Sequence, residues 1–159
     1  VQARQRSTQF VRAMNGPDAI LSLVTLGVSN LERSIAFYEA LGFRRKAKKA
    51  EGVGFFQAGA CAFAVFPSQE LAKDADVTAA GVTPAFRGVA LAWNCRSESE
   101  VDAAIALARS AGGAIPKPPQ KTFWGGYAGY FADPDGHLWE VAHNPGFPLS
   151  EDGRLTLPE

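Results

Sequence analysis

The chain has 159 residues, 47% of them apolar, with 11 Phe, 3 Trp and 3 Tyr available to fill an interior. That is the size of one domain, or of two small halves sharing a core. Sixteen Lys and Arg balance sixteen Asp and Glu, so no overall field draws the protein to nucleic acid or to an anionic membrane.

The first residues, up to about position 19, read as an N-terminal arm. Arg4, Arg6 and Arg12 occur there without an apolar core, so the arm is not a secretory signal. The only methionine is Met14. It is the expected natural start, with Val1 to Ala13 arising from added or misread upstream sequence and held, if at all, by docking on a neighbouring chain. No apolar run approaches the roughly 20 residues that span a bilayer, and a cytoplasmic location is expected. Cys61 and Cys95 are too few and too far apart for a disulfide framework or a zinc finger. Each lies in an apolar run, where a free cysteine acts as a small hydrophobe.

From Ile20 the chain repeats one grammar. A strand over Ile20–Leu26 leads to Ser29-Asn30-Leu31-Glu32, a capping box in which Ser and Glu satisfy orphan helix N–H groups. Leu31, Ile35, Tyr38 and Leu41 follow at helical spacing, and Gly42 ends the helix. Strands are expected over Phe43–Ala50, Val53–Ala58 and Cys61–Phe66. The basic run from Arg44 to Lys49 lacks interleaved aromatic residues and reads as a solvated strand face. A linker, 67–87, carries a turn or two of helix near Gln69–Ala75. The second half repeats the order: a strand over Gly88–Trp93, a capping box from Ser97 to Glu100, and a stripe of Val101, Ile105 and Ala108 before Gly112-Gly113. Strands over Ala114–Lys117, Tyr127–Phe131 and Leu138–His143 complete it. Each half, 20–66 and 88–145, is therefore β-α-β-β-β. The tail, 146–159, with Pro148 and Pro158, is expected to be irregular.

The most informative stretch is Tyr130-Phe131-Ala132-Asp133-Pro134-Asp135-Gly136-His137-Leu138-Trp139-Glu140-Val141. Pro134 presets a turn, Asp133 and Asp135 can bond nearby backbone, and Gly136 tolerates a positive φ. Alternation then puts Leu138, Glu140 and Ala142 on one strand face and Trp139 and Val141 on the other. A carboxylate sharing a face with Leu and Ala is either paired with a base such as Arg87 or placed for a ligand. On a cleft floor, desolvation raises a carboxyl pKa and suits it to proton transfer.

The pattern from Leu26 to Tyr38, followed by Leu41-Gly42-Phe43, with Asp133-Pro134-Asp135-Gly136-His137 ahead of Glu140, resembles the vicinal oxygen chelate superfamily. That superfamily includes glyoxalase I, bleomycin-resistance proteins, fosfomycin-resistance enzymes and extradiol dioxygenases. The resemblance covers about Ile20 to Pro145. It implies an α+β fold of two βαβββ modules whose curved mixed sheets enclose a cleft, and a tendency to form homodimers. It also implies a divalent metal held by His, Glu or Gln on the inner sheet faces. Carried over position by position, those ligands fall at Leu23, near Ala64, at Gly88 or Ala90, and at Glu140. Only Glu140 offers a donor, and divalent metals need several O or N donors. A metal is therefore disfavoured and no cofactor is expected, unless Cys61 or a partner-chain residue supplies a ligand.

The expected function is binding of a small organic molecule in the inter-module cleft, as in bleomycin-resistance proteins, though nothing supports that drug itself. Glu140 is the expected polar anchor, with Leu23, Thr25, Ala90, Trp124 and Tyr127 as wall. Trp124 and Tyr127 flank Gly125-Gly126 and can instead pack core and turn. The alternative is a lyase or isomerase of glyoxalase type, with Glu140 as base beside Tyr127 or as metal ligand. A third reading is an interaction module whose cleft is filled by large side chains. His137 is expected to stabilise the turn, His143 to be exposed or at an interface, and Trp139 to pack between helix and sheet. Without a paired nucleophile, a His-centred triad has little support.

Overall fold

A computed structural model describes residues 21–77, 86–87 and 89–158. The expected arm over 1–19, Gly88 and part of the expected linker, 78–85, lie outside the described residues. The elements in chain order are β1 (Leu23–Val28), α1 (Leu31–Ala40), β2 (Arg44–Lys46), β3 (Gly54–Ala58), β4 (Cys61–Pro67) and α2 (Ser68–Asp74). Then come β5 (Ala90–Asn94), α3 (Glu98–Ser110), β6 (Ala114–Lys121), β7 (Tyr127–Ala132) and β8 (Leu138–His143).

Two four-stranded mixed sheets result, in the orders β1-β4-β3-β2 and β5-β8-β7-β6. In each, the strand before the helix pairs parallel with the last strand of its module, and the remaining pairs are antiparallel. The expected α+β architecture of two βαβββ modules is what forms.

Local chemistry explains most boundaries. Asn30, not Ser29, caps α1: its side-chain oxygen accepts from the Arg33 N–H at 2.9 Å. Asn caps as well as Ser does, and this frees Ser29 for a contact with the second module. Ser97 caps α3 as expected, accepting from the Glu100 N–H at 3.2 Å. The Glu100 carboxylate reaches one residue further back than a capping box requires, accepting from the Arg96 N–H at 2.7 Å. β2 is shorter than expected because Ala47 turns to a φ of 46°, which ends the extended run. β6 is longer, running through Pro116, Pro118 and Pro119. It is an edge strand with two register shifts, the setting in which proline's missing N–H is tolerated.

One continuous core joins the modules. Leu26, Val28, Phe56, Phe63 and Val65 from the first sheet meet Tyr38 of α1, which is wholly buried. The Tyr38 ring lies 4.8 Å from Phe63 and 5.9 Å from Trp139 of the second sheet, and Trp139 stacks on Phe131 at 5.8 Å. Burying each such aromatic side chain stabilises the fold by roughly 1.5–3 kcal/mol. Gly54 lets α1 approach, since a Cβ there would come within 2.7 Å of Ile35. Trp139 packs as expected. Cys95 is buried, and burial followed by the Glu100 charge pushes its thiol pKa up to about 11. Cys61 is exposed, against the expectation of a buried small hydrophobe.

Candidate functional site

The turn from Asp133 to His137 binds the modules together. Asp133 is buried; its Oδ1 accepts from the N–H groups of Asp135 (2.9 Å) and His137 (2.8 Å). Its Oδ2 accepts from the Tyr38 hydroxyl at 2.7 Å, and that hydroxyl accepts from Trp139 Nε1 at 3.2 Å. Burial, then the Asp133 charge, holds the Tyr38 pKa far above its ordinary value. Asp135 accepts from the Ser29 N–H at 2.9 Å, from Ser34 Oγ at 3.3 Å and from Arg33 at 3.5 Å. Burial works to raise its pKa, but the Ser29 hydrogen bonds, the Arg33 charge and the Ser34 hydroxyl outweigh it and leave it lowered. The motif that stood out in the sequence is therefore a clamp on the N-terminal half of α1.

His137 extends the clamp beyond the turn-stabilising role expected of it. Its Nε2 lies 2.7 Å from the Gly27 carbonyl on β1, and Arg87 Nη1 lies 2.7 Å from its Nδ1. Arg87 Nη2 also donates to the Asp135 carbonyl. Arg87 is thus occupied at the turn and does not pair with Glu140. His143, expected to be exposed or at an interface, is half-buried with Nδ1 3.1 Å from the Cys95 carbonyl.

Beside this clamp lies a pocket of about 240 Å³ between the two modules. Val24 and Leu26 of β1 form one wall; Val89, Leu91 and Leu138 of the second module form the other, with Phe86 alongside. Thr25, Arg87 and His137 are its polar groups. Of the residues expected to bind a ligand, only Thr25 lines it.

The other expected residues are distributed as follows. Glu140 is half-buried on the second sheet, opposite Ala92 of β5 and Tyr130 of β7. It shares a face with Leu138, whereas Leu91, the partner of Trp139, faces the other way, so the pocket reaches the Glu140 face through Leu138 and does not include Glu140. Ala90 is exposed on this face, opposite Leu138. Leu23 is 42% exposed on the Thr25 face of β1, outside the pocket lining. Tyr127 is the clear correction. It lies on the opposite sheet face from Glu140, paired with His143, and its hydroxyl donates to Asp102 of α3 at 2.8 Å. That bond, then burial and the acidic charges of α3, raises its pKa. Trp124 folds back over Gly126, where a Cβ would meet its ring, so both aromatics belong to their hairpin and helix rather than to Glu140.

Tyr130 is the residue that sequence reasoning missed. It stands opposite Glu140, and burial, followed by the Glu140 charge and a hydrogen bond to it, raises its pKa. A phenol beside a carboxylate places a donor and acceptor oxygens on one face, where both could meet a ligand. The signal was in the turn: Asp133 faces His137, so counting outward in equal steps brings Tyr130 to Glu140.

The family's metal does not fit these residues. Leu23, Ala64 and Ala90 carry no donor, Gly88 lies outside the described residues, and among the described residues no three His, Cys, Asp or Glu side chains gather to hold an ion.

The family model of the Glyoxalase/Bleomycin resistance protein/Dioxygenase superfamily matches residues 20–141. The chain belongs to this superfamily. It is 34% identical to a glyoxalase-related enzyme from Fulvimarina pelagi, covering 89% of this chain and 100% of that one, with a TM-score of 0.80. A glyoxalase/bleomycin resistance protein/dioxygenase from Nocardioides is 24% identical over 87% of this chain and 92% of its own, with a TM-score of 0.69. A lactoylglutathione lyase from Agrobacterium tumefaciens is 21% identical over 81% and 96%, with a TM-score of 0.61. The last two carry the fold alone. No curated protein matches the chain.

Proposed function

We propose that this superfamily member binds a small organic molecule at the junction of its two modules, without a divalent metal. The observation that carries the reading is the pocket of about 240 Å³, walled by apolar side chains from both modules, with Thr25, Arg87 and His137 as its few polar groups. An apolar concavity with a handful of oriented polar groups is the usual form of a small-molecule site. Glu140 and Tyr130, on the face beyond Leu138, give a polar anchor for a ligand that extends out of the pocket. Ala90 and Ala92 are exposed there, which speaks against a cleft filled by large side chains.

Thermal-shift screening against metabolites and divalent metals tests this. A ligand at about 100 times its Kd stabilises by about 2.7 kcal/mol, a rise of roughly 5–10 °C for a chain this size. Organic compounds are expected to give such shifts. Shifts with Ni, Zn, Fe or Mn alone contradict the reading.

A glyoxalase-type lyase or isomerase is the second reading, favoured by the Tyr130–Glu140 pair. Proton abstraction beside a carbonyl develops an enolate that needs a metal or preorganised donors. Among the described residues no three metal-ligating side chains gather to hold such a metal, so this reading ranks below binding. Assembly as a homodimer and a cytoplasmic location belong to the same proposal. Exposed Leu21, Phe86 and Phe123 are consistent with a covered surface, and light scattering tests the dimer. No helix among the described residues is long and apolar enough to cross a membrane.

A further inference from the structure

We infer that the junction pocket selects small apolar molecules bearing a carboxylate, with Arg87 as the anion-binding group; this rests on reading the pocket as a ligand site.

The inference begins with hydrogen-bond accounting at His137. Its Nε2 is 2.7 Å from the Gly27 carbonyl, which can only accept, so Nε2 carries the hydrogen. Nδ1 then carries no hydrogen, and Arg87 Nη1 rests against the ring, 2.7 Å from Nδ1 and 3.1 Å from Nε2, between the two nitrogens rather than on the lone-pair axis of either. Arg87 Nη2 donates to the Asp135 carbonyl. Both groups it touches are neutral. The nearby Asp135 carboxylate is turned the other way, to Ser29, Ser34 and Arg33. Among the described residues no carboxylate lies within ion-pair distance of Arg87.

A guanidinium has five N–H donors, and the described contacts engage two of its nitrogens, Nη1 and Nη2. Among the described residues, Arg87 is therefore held in position by neutral groups, and its charge meets no carboxylate. The guanidinium fork matches a carboxylate. The rest of the wall, Val24, Leu26, Val89, Leu91 and Leu138, suits a hydrocarbon body. An apolar cavity of roughly 150 Å³ admits benzene, so this pocket has room for a ring with a short acidic arm. A bare inorganic anion would leave those walls unsatisfied.

Calorimetric titration of the full chain with phenylacetate and with its neutral isostere phenylacetamide tests the inference, using wild type, Arg87→Met and Val89→Trp. Unfolding midpoints of each variant are measured alongside. In the wild type the acid is expected to bind about tenfold or more tightly than the amide, the advantage of a charge-assisted over a neutral hydrogen bond. Arg87→Met should bring the acid down to the amide's affinity while leaving the amide unchanged, and Val89→Trp should weaken both. Equal binding of acid and amide in the wild type, or an unchanged preference in Arg87→Met, overturns the carboxylate inference and leaves the pocket reading standing. Binding insensitive to Val89→Trp places the ligand elsewhere and overturns it too. Failure of both compounds to bind the wild type contradicts the pocket reading itself and takes the inference with it.

Discussion

Tyr38 donates its hydroxyl hydrogen to Asp133 across the module boundary at 2.7 Å, with both residues buried. Tyr38→Phe leaves a buried carboxylate oxygen short of a donor and Trp139 Nε1 short of an acceptor. An unsatisfied buried polar group costs about 1–3 kcal/mol. Urea denaturation should show a loss in that range with an unchanged denaturant slope; a change near zero would show that the clamp contributes no stability.

Asp135 makes stability depend on pH. Its folded pKa is lowered, so below about pH 4, near the ordinary Asp pKa, the unfolded chain takes up this proton more readily than the folded one. The contribution is complete above that pH and is lost as pH falls through the folded value. Asp135→Asn removes this dependence. Denaturation midpoints measured from pH 6 to pH 3 should fall less steeply for the variant than for the wild type, and parallel curves would remove Asp135 from the account.

Glu140 and Tyr130 should be separable from Tyr127. Glu140 enters no ion pair among the described residues, so Glu140→Gln is expected to shift stability by no more than about 0.5 kcal/mol. It should weaken any ligand found by screening that reaches beyond Leu138, and Tyr130→Phe should do the same. Tyr127→Phe breaks only the bond to Asp102 on the other sheet face and should leave affinity unchanged. Equal effects of Tyr127→Phe and Tyr130→Phe would mean that the Glu140 face is not where the ligand sits.

These contrasts show what the sequence carried. The repeated strand–cap–helix order gave both modules, because caps and glycine stops such as Asn30, Gly42 and Ser97 act through local backbone chemistry. Boundaries went astray where tertiary placement decided them: β6 survives three prolines only because it lies at a sheet edge. The site was harder. Tyr127 looked suited to a pocket because it is aromatic and beside glycines, but the hairpin register assigns it to the helix face and gives Tyr130 to Glu140. Arg87 and His137 reach each other across 50 residues through side-chain contacts that no spacing encodes.

Leu23, Ala64 and Ala90, where the resemblance puts ligands of the superfamily's metal, carry hydrocarbon, and Glu140 is the acid left among those positions. Elemental analysis of protein purified without a chelator is the decisive measurement for the metal-free proposal. Ni, Zn, Fe and Mn are each expected far below one atom per chain, with any ligand binding unchanged by EDTA. One firmly held ion per chain, lost together with ligand binding when Glu140 is replaced by Gln, would overturn it.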